Sequence, residues 1–489
     1  MTRAAALIVA WCALAALGCA PGAVSEPGAH AGADPLDGKR ADAGDSGMAP
    51  EALVDGSVDG SPAAPVCDGD PADCDGLGAC VRTPAPSDVD VLVPVSLSAA
   101  YGTHSFRVPA KANWVSTGVY LKAGETAAVQ VDGGTWSVNG TTLHGAGGAP
   151  ALGNLRGCPK GALAARIGLS YEDPSLVCLS AGAATVTALK EGPLFLGMNI
   201  STDLGETYES RVDASGELNV TVASTAKTFP TITRDELACL NLADVASGHL
   251  ELAGKHVAVV LPVPALARDL ATAASSIDTL DALYEAELEL RGAKPHAGQR
   301  IRFLRDDAIN DIGYMLAGNP IRMVHDLVDG ADTQRILRAS QPTTDVWGFA
   351  HELGHTFTFI GGTWLYMVLN LESWPNVFTL YALEATGRTA HQPNVATYCD
   401  GKAAYLAGGS YQTFKTDPFV QLCFLMEFQK AHGYEIWKNF FGLMNLTANS
   451  QIGYDGTDAS VWLFAKNRLS FVLGQDLTPV FQKWRVPLP

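Results

Sequence analysis

Residues 345–361 read Asp-Val-Trp-Gly-Phe-Ala-His351-Glu352-Leu353-Gly354-His355-Thr-Phe-Thr-Phe-Ile-Gly. At about 100° per residue, Val346, Phe349, Ala350, Leu353, Phe357 and Ile360 fall on one side of a helix as an apolar stripe. His351 and His355 lie on the other side, one turn apart. Gly361-Gly362 supplies a C-terminal stop. This predicts a helix with one face on a core and its histidine pair on a cleft. Spacing i, i+4 lets two imidazoles share one tetrahedral zinc, and Glu352 can hold the water of an open site. With 11 histidines in 489 residues, the pattern arises by chance in roughly one such chain in a hundred. The competing reading is a pair of helix histidines without metal.

Such a site needs a third protein ligand. Leu371-Glu372-Ser-Trp374-Pro375-Asn376-Val-Phe378-Thr-Leu380-Tyr381 begins a second predicted helix that ends by Gly387. Pro375 fits if it lies in the first turn. Glu372 then stands near the start of that helix, with Asn376 one turn later as a supporting partner. The plain alternative is a solvated surface glutamate.

Outward from this segment the composition is uneven. The chain has 489 residues, a formal charge of −18, 47% hydrophobic and 17% charged residues, enough apolar material for more than one domain core. An acidic chain of this kind has no basic footprint for nucleic acid. Residues 20–90 hold 14 acidic and three basic side chains, so most of the negative charge sits there. That stretch of Ala, Gly, Pro, Asp and Ser cannot bury enough surface to offset ordering entropy and is expected to be a linker.

Ahead of it, Arg3 and the apolar run Ala4–Leu17 lead to Ala16-Leu17-Gly18-Cys19. This looks like a bacterial lipoprotein signal with Cys19 lipidated, although Ala16 stands where Leu is usual; the alternative is an ordinary cleaved secretory signal. Both export the protein. Ala20 in place of Asp favours, by resemblance to sorted lipoproteins, a cell-surface-exposed outer-membrane location. No later run is apolar enough to span, so membrane attachment is expected only through the lipid. Without Cys12 and Cys19, eight cysteines remain, an even number that fits disulfides in an oxidising compartment. Cys67, Cys74 and Cys80 make a weak zinc signal, and a disulfide-pinned loop is the better reading.

From Leu92 to about Ser224 short alternating runs divided by glycine predict a β-sandwich, as in Leu218-Asn-Val-Thr-Val222 and Val129-Gln-Val131. Thr117-Gly-Val-Tyr-Leu121, Gly133-Gly-Thr-Trp136, Gly161–Gly168, Leu194-Phe-Leu-Gly-Met-Asn199 and Ser215-Gly-Glu-Leu218 together resemble the galactophilic lectin I type of galactose-binding sandwich. That family holds calcium and sugar with an Asn-Asp pair and a later Asn-rich turn. Here those positions read Asn199-Ile200 and Val212-Asp213-Ala214, so the resemblance carries the fold but not the calcium. A purely structural role is as well supported as sugar binding.

The C-terminal half has a resemblance of its own. His351-Glu-Leu-Gly-His355, Trp364 and Glu372-x-x-x-Asn376-Val-Phe-Thr-Leu-Tyr381 resemble the enhancin-like metallopeptidases, family sixty of the metallo class. Leu250–Pro264, the predicted helix Ala265–Leu290, Gly313–Ile321, the helical run opened by Asp417-Pro418, Gly433-Tyr-Glu-Ile-Trp437 and Leu477–Trp484 extend the match over about residues 230–489. The resemblance implies a gluzincin: zinc on His351, His355 and Glu372, with Glu352 as general base. It also implies O-glycosylated, mucin-like substrates. Gly318–Ile321 corresponds to a family segment beside the cleft, with Asn319 in place of a tyrosine. Thr356 and Thr358 replace the family's Asn and Gln, and these departures are expected to bear on substrate preference. Tyr366, Tyr381 and His391 are candidates for stabilising the oxyanion because they donate hydrogen bonds.

The expected architecture is therefore multidomain. A signal (1–19) and linker (20–90) precede a β-sandwich N-terminal module (91–226) and a mainly α-helical (α+β) gluzincin-type zinc peptidase domain (228–489). Two other functions fit the same residues: a glycan-binding surface adhesin on a peptidase fold, and a broad zinc protease indifferent to glycans.

Overall fold

The computed structural model describes residues 100–489 apart from 172–175, 180–181, 201–212, 296–298, 331–333, 359–368, 370, 392–398, 400–401, 447–452 and 454. The signal with Cys19, the linker, Cys67, Cys74, Cys80, Gly361-Gly362, Trp364 and Tyr366 lie outside them, as does the side chain of His391. Everything described belongs to one compact unit.

Its first part is an eight-stranded antiparallel sheet. The strands are β1 (Ala100–Pro109), β2 (Val115–Leu121), β3 (Thr126–Ser137), β6 (Leu163–Ile167), β7 (Val177–Cys178), β8 (Ala183–Thr187), β9 (Gly192–Met198) and β10 (Ser215–Thr228); β4 (Asn154–Leu155) and β5 (Cys158–Pro159) form a separate hairpin. The order is β7-β6-β9-β2-β10-β3-β8, with β1 also on β10. β10 is long enough to serve both halves: Ser215–Ala223 pair with β3, and Lys227 and Thr228 pair with Tyr120 and Val119 of β2. One apolar cluster, including Val108, Leu121, Val129, Leu196 and Val220, draws on both halves. β10 alternates in burial as the period-two reading requires. By contrast, β2, β6 and β9 are buried along their whole length. Their second face meets the next sheet, where Trp114, Ala164 and Phe195 pack with Leu304.

The second part begins with a six-stranded mixed sheet. In order it is β11 (Thr231–Thr233), β12 (His249–Ala253), β13 (Val257–Pro262), β14 (Ile301–Arg305), β16 (Ile321–Met323) and β15 (Met315–Leu316). β13 and β14 are parallel, so a crossover must join them, and α1 (Val263–Arg291) supplies it. It starts after Pro262 and stops at Gly292, whose φ of 68° makes the left-handed cap that glycine adopts without strain. Then follow α2 (Trp347–Thr358), α3 (Ser373–Ala385), α4 (Pro418–His432), α5 (Glu435–Asn445) and α6 (Asp458–Leu473). Asp417 caps α4 by accepting from the backbone N–H groups of Phe419 and Val420. A single core joins sheet and helices. Disulfides link Cys158 to Cys178 and Cys399 to Cys423, and Cys239 is also disulfide-bonded. No helix among the described residues is long and apolar enough to cross a membrane.

Candidate metal centre

α2 places the histidines as its period predicts, but the cleft side is more enclosed than expected. Phe349, Ala350, Leu353 and Phe357 face the core, while His351, Glu352 and His355 are also buried, at 3%, 3% and 7% exposure. The cover is α3. A Cβ on Gly354 would lie 3.0 Å from the Pro375 carbonyl and 3.2 Å from Phe378 Cβ, so the missing side chain permits the close approach of the two helices.

That approach delivers Glu372. It occupies the N-cap position of α3, with Pro375 inside the first turn as anticipated. Its Oε2 lies 2.8 Å from His351 Nε2 and 3.5 Å from His355 Nε2. The two imidazoles are edge-to-face, 4.8 Å between centroids. The three ligand atoms all lie within 4.8 Å of one another. A zinc ion with bonds of about 2.0–2.2 Å separates tetrahedral ligands by roughly 3.3–3.5 Å, so these two imidazoles and one carboxylate fit it with small adjustments.

The electrostatics suit a base beside a ligand set. Burial raises the Glu352 carboxyl to about 7, opposed by neighbouring His351 and reinforced by Glu372. Burial also pushes the Glu372 carboxyl upward, but the charges and hydrogen bonds of His355 and His351 outweigh it and hold it well below the usual carboxylate range.

Asn376 is where expected, and its Nδ2 donates to the Glu372 carbonyl at 2.6 Å, anchoring the ligand's backbone. A second anchor was missed in the sequence. Ser373 Oγ donates to Gln421 Oε1 at 2.5 Å, and Gln421 Nε2 donates to the carbonyls of Phe414 and Lys415. Both side chains are fully buried. The available signal was a glutamine inside the apolar run Val420–Leu425.

Three expectations need correction. Gly318–Ile321 does not run along a cleft: it is buried, and Asn319 spends its side chain on the backbone of Arg300 and Arg302. The strand beside α2 is instead β15, whose Met315 packs on Gly348. The Thr356 and Thr358 side chains are buried and bond back to the carbonyls of Leu353 and His355, so Thr358 acts on a ligand's backbone, not on a substrate surface. Tyr381 packs edge-on against Tyr434 with Lys438 over its ring, away from an oxyanion role. Just past β9, Asn199 donates to the carbonyls of Leu155, Cys158 and Pro159, a structural use of its side chain.

A helix bearing two histidines and a buried glutamate, faced by a glutamate from the next helix, is the arrangement of a metallopeptidase domain. Residues 242–485 match the family described as Peptidase M60, enhancin and enhancin-like. In structure, the chain is similar to a functionally unknown conserved protein from Bacillus anthracis str. Ames, with 18% identity, 79% of this chain and 76% of that one covered, and a TM-score of 0.55. A mutant of that protein gives 17% identity with the same coverage and TM-score. A metallopeptidase in complex with Tn antigen gives 16% identity, 76% and 66% coverage, and a TM-score of 0.50. At these identities the likeness is one of fold. No curated protein matches the chain in sequence.

Proposed function

We propose that this chain is an exported zinc metalloendopeptidase that hydrolyses peptide bonds in mucin-like O-glycosylated proteins. The observation that carries the reading is the convergence of His351, His355 and Glu372 beside buried Glu352. His351, His355 and Glu372 would hold the ion. When bound there, zinc makes water acidic enough to attack near neutral pH and polarises a carbonyl. Glu352 takes the proton of the attacking water and passes it to the departing amine, a role suited to a carboxyl that titrates at about 7. Asn376, and Ser373 through Gln421, keep Glu372 aimed at the histidines.

The substrate class is supported by the M60 match and by the glycan antigen bound to one similar metallopeptidase. Export is supported by the signal-like residues 1–19 and by disulfides, which persist in oxidising compartments. In this reading Cys19 carries the lipid that anchors the protein at the outer membrane. Residues 100–228 serve as a galactose-binding-like sandwich that braces the peptidase. Asn199 spent on backbone carbonyls favours the brace over a lectin.

The test compares the chain with its Glu352→Gln variant on an O-glycosylated mucin and its deglycosylated twin. The parent alone should cut, a chelator should stop it, and sugar removal should slow it. Loss of the base should cost about 10²–10⁴ in rate with zinc retained. Equal cutting of both substrates discards the mucin reading. Glycan binding without cutting leaves the adhesin.

A further inference from the structure

Among its contacts with the peptidase domain, the N-terminal sheet grips one short hairpin, β15–β16. At its turn, Asn319 Oδ1 accepts from the Arg302 N–H at 2.9 Å and Nδ2 donates to the Arg300 carbonyl at 2.9 Å. The Asn319 carbonyl accepts from Asn113 Nδ2 at 3.2 Å, and Asn113 belongs to the loop between β1 and β2. On the strand itself, Arg322 Nε donates to the Leu169 carbonyl at 3.3 Å and lies 3.6 Å from Asp306. Asp306 in turn accepts from Ser170 Oγ at 2.7 Å and from the Tyr171 N–H at 2.5 Å. Asn113, Asn319, Arg322 and Asp306 are all at most 5% exposed.

This clamp has a consequence for the site. β15 ends the sheet order, so its outer edge has no strand partner among the described residues. A Cβ on Gly348 would lie 3.2 Å from Met315 Sδ, so β15 rests on the first turn of α2, three residues before His351. An extended peptide added to that edge would lie beside α2, the helix that carries His351 and Glu352. A strand of two residues, Met315 and Leu316, cannot hold its own position through one ladder. Gly318 beside it, at φ 130°, adds backbone freedom. The stiffness must come from the groups that grip the hairpin.

We propose that Asn113 and Ser170 are positioning residues for the peptidase, acting through Asn319 and Asp306 to hold the β15 edge where an extended substrate meets the ligand set. This rests on the peptidase reading above. The N-terminal sheet is then part of the substrate-binding apparatus without touching substrate.

The test uses the full chain carrying Asn113→Ala, Ser170→Ala or Ser170→Thr, with the parent and Glu352→Gln alongside. On an extended glycopeptide, the two alanine variants should raise KM about five- to ten-fold and leave kcat within about two-fold, the signature of lost ground-state binding. Ser170→Thr, which keeps the hydroxyl, should restore the parent KM. Amide hydrogen exchange at Met315 and Leu316 should rise about ten-fold in the alanine variants while α2 stays protected. An unchanged KM with unchanged exchange overturns the proposal. So does a fall in zinc affinity and kcat together with KM, which marks general loosening. If the parent cuts no peptide, the peptidase reading falls, and the exchange result alone judges the clamp, with no change at β15 sinking it.

Discussion

Glu372 is the residue on which the proposed centre turns, because among the three candidate ligands it alone does not come with α2. Its carboxylate meets both imidazoles from the N-cap of α3, and Asn376 and Ser373 grip the backbone around it. Replacing it with glutamine keeps the volume and removes the charge. We expect Glu372→Gln to lower zinc affinity by more than the roughly 10–100-fold that loss of an outer partner costs. Competition against a chromogenic chelator measures this, and parent-like affinity would remove Glu372 from the ligand set. Glu352 differs: it shares the helix with the histidines but in the proposed mechanism it is the base and not a ligand, so its loss should leave zinc affinity unchanged.

At the scale of elements, α1 matters as much as the two helices of the centre. It departs from helical geometry at Asp269, with φ −113° and ψ 20°. There the buried carboxylate accepts from Arg268, Arg335 and Arg338, tying α1 to the segment that leads into α2. Burial raises this carboxyl, but the hydrogen bonds of the three guanidinium groups outweigh it and bring it from 3.8 to about 2. A carboxyl depressed in the folded state stabilises fully above its unfolded pKa and loses that contribution as pH falls through the folded value. The parent should therefore lose stability as pH drops from 3.8 to about 2. Asp269→Asn should cost about 3 kcal/mol or more near neutrality, since it leaves buried guanidinium charge uncompensated. The gap between the two proteins should close in acid. Denaturant melts across that range decide it, and a constant gap would count against Asp269 as the group responsible.

For the whole molecule, the N-terminal sheet and the peptidase domain share a buried seam. Arg302 lies 5.1 Å over the Phe195 ring and donates to the Trp114 carbonyl at 3.1 Å, and Leu304 completes the apolar patch. In the proposed location this body is tethered by lipid on Cys19. Cys19→Ser should move the protein from the membrane fraction into the soluble one, read by fractionation of cells making each form. A parent found in the soluble fraction, like the serine variant, would discard the lipid anchor and leave the secretory reading. The sequence by itself determined what is local. The period of 345–360 sets a helix with two histidines one turn apart, Asp417-Pro418 opens another, and Glu372 with Asn376 stands at the start of a third. Each follows from the three- and four-residue spacing of a helix, which a single segment encodes. Only the tertiary structure decided how those segments meet. It let α3 close over Gly354, spent Gln421 on Ser373 and Asn319 on Arg302, and put β15 rather than Gly318–Ile321 next to α2. These pairings join residues far apart in the chain, and their partners are chosen by packing and register, which no local pattern contains.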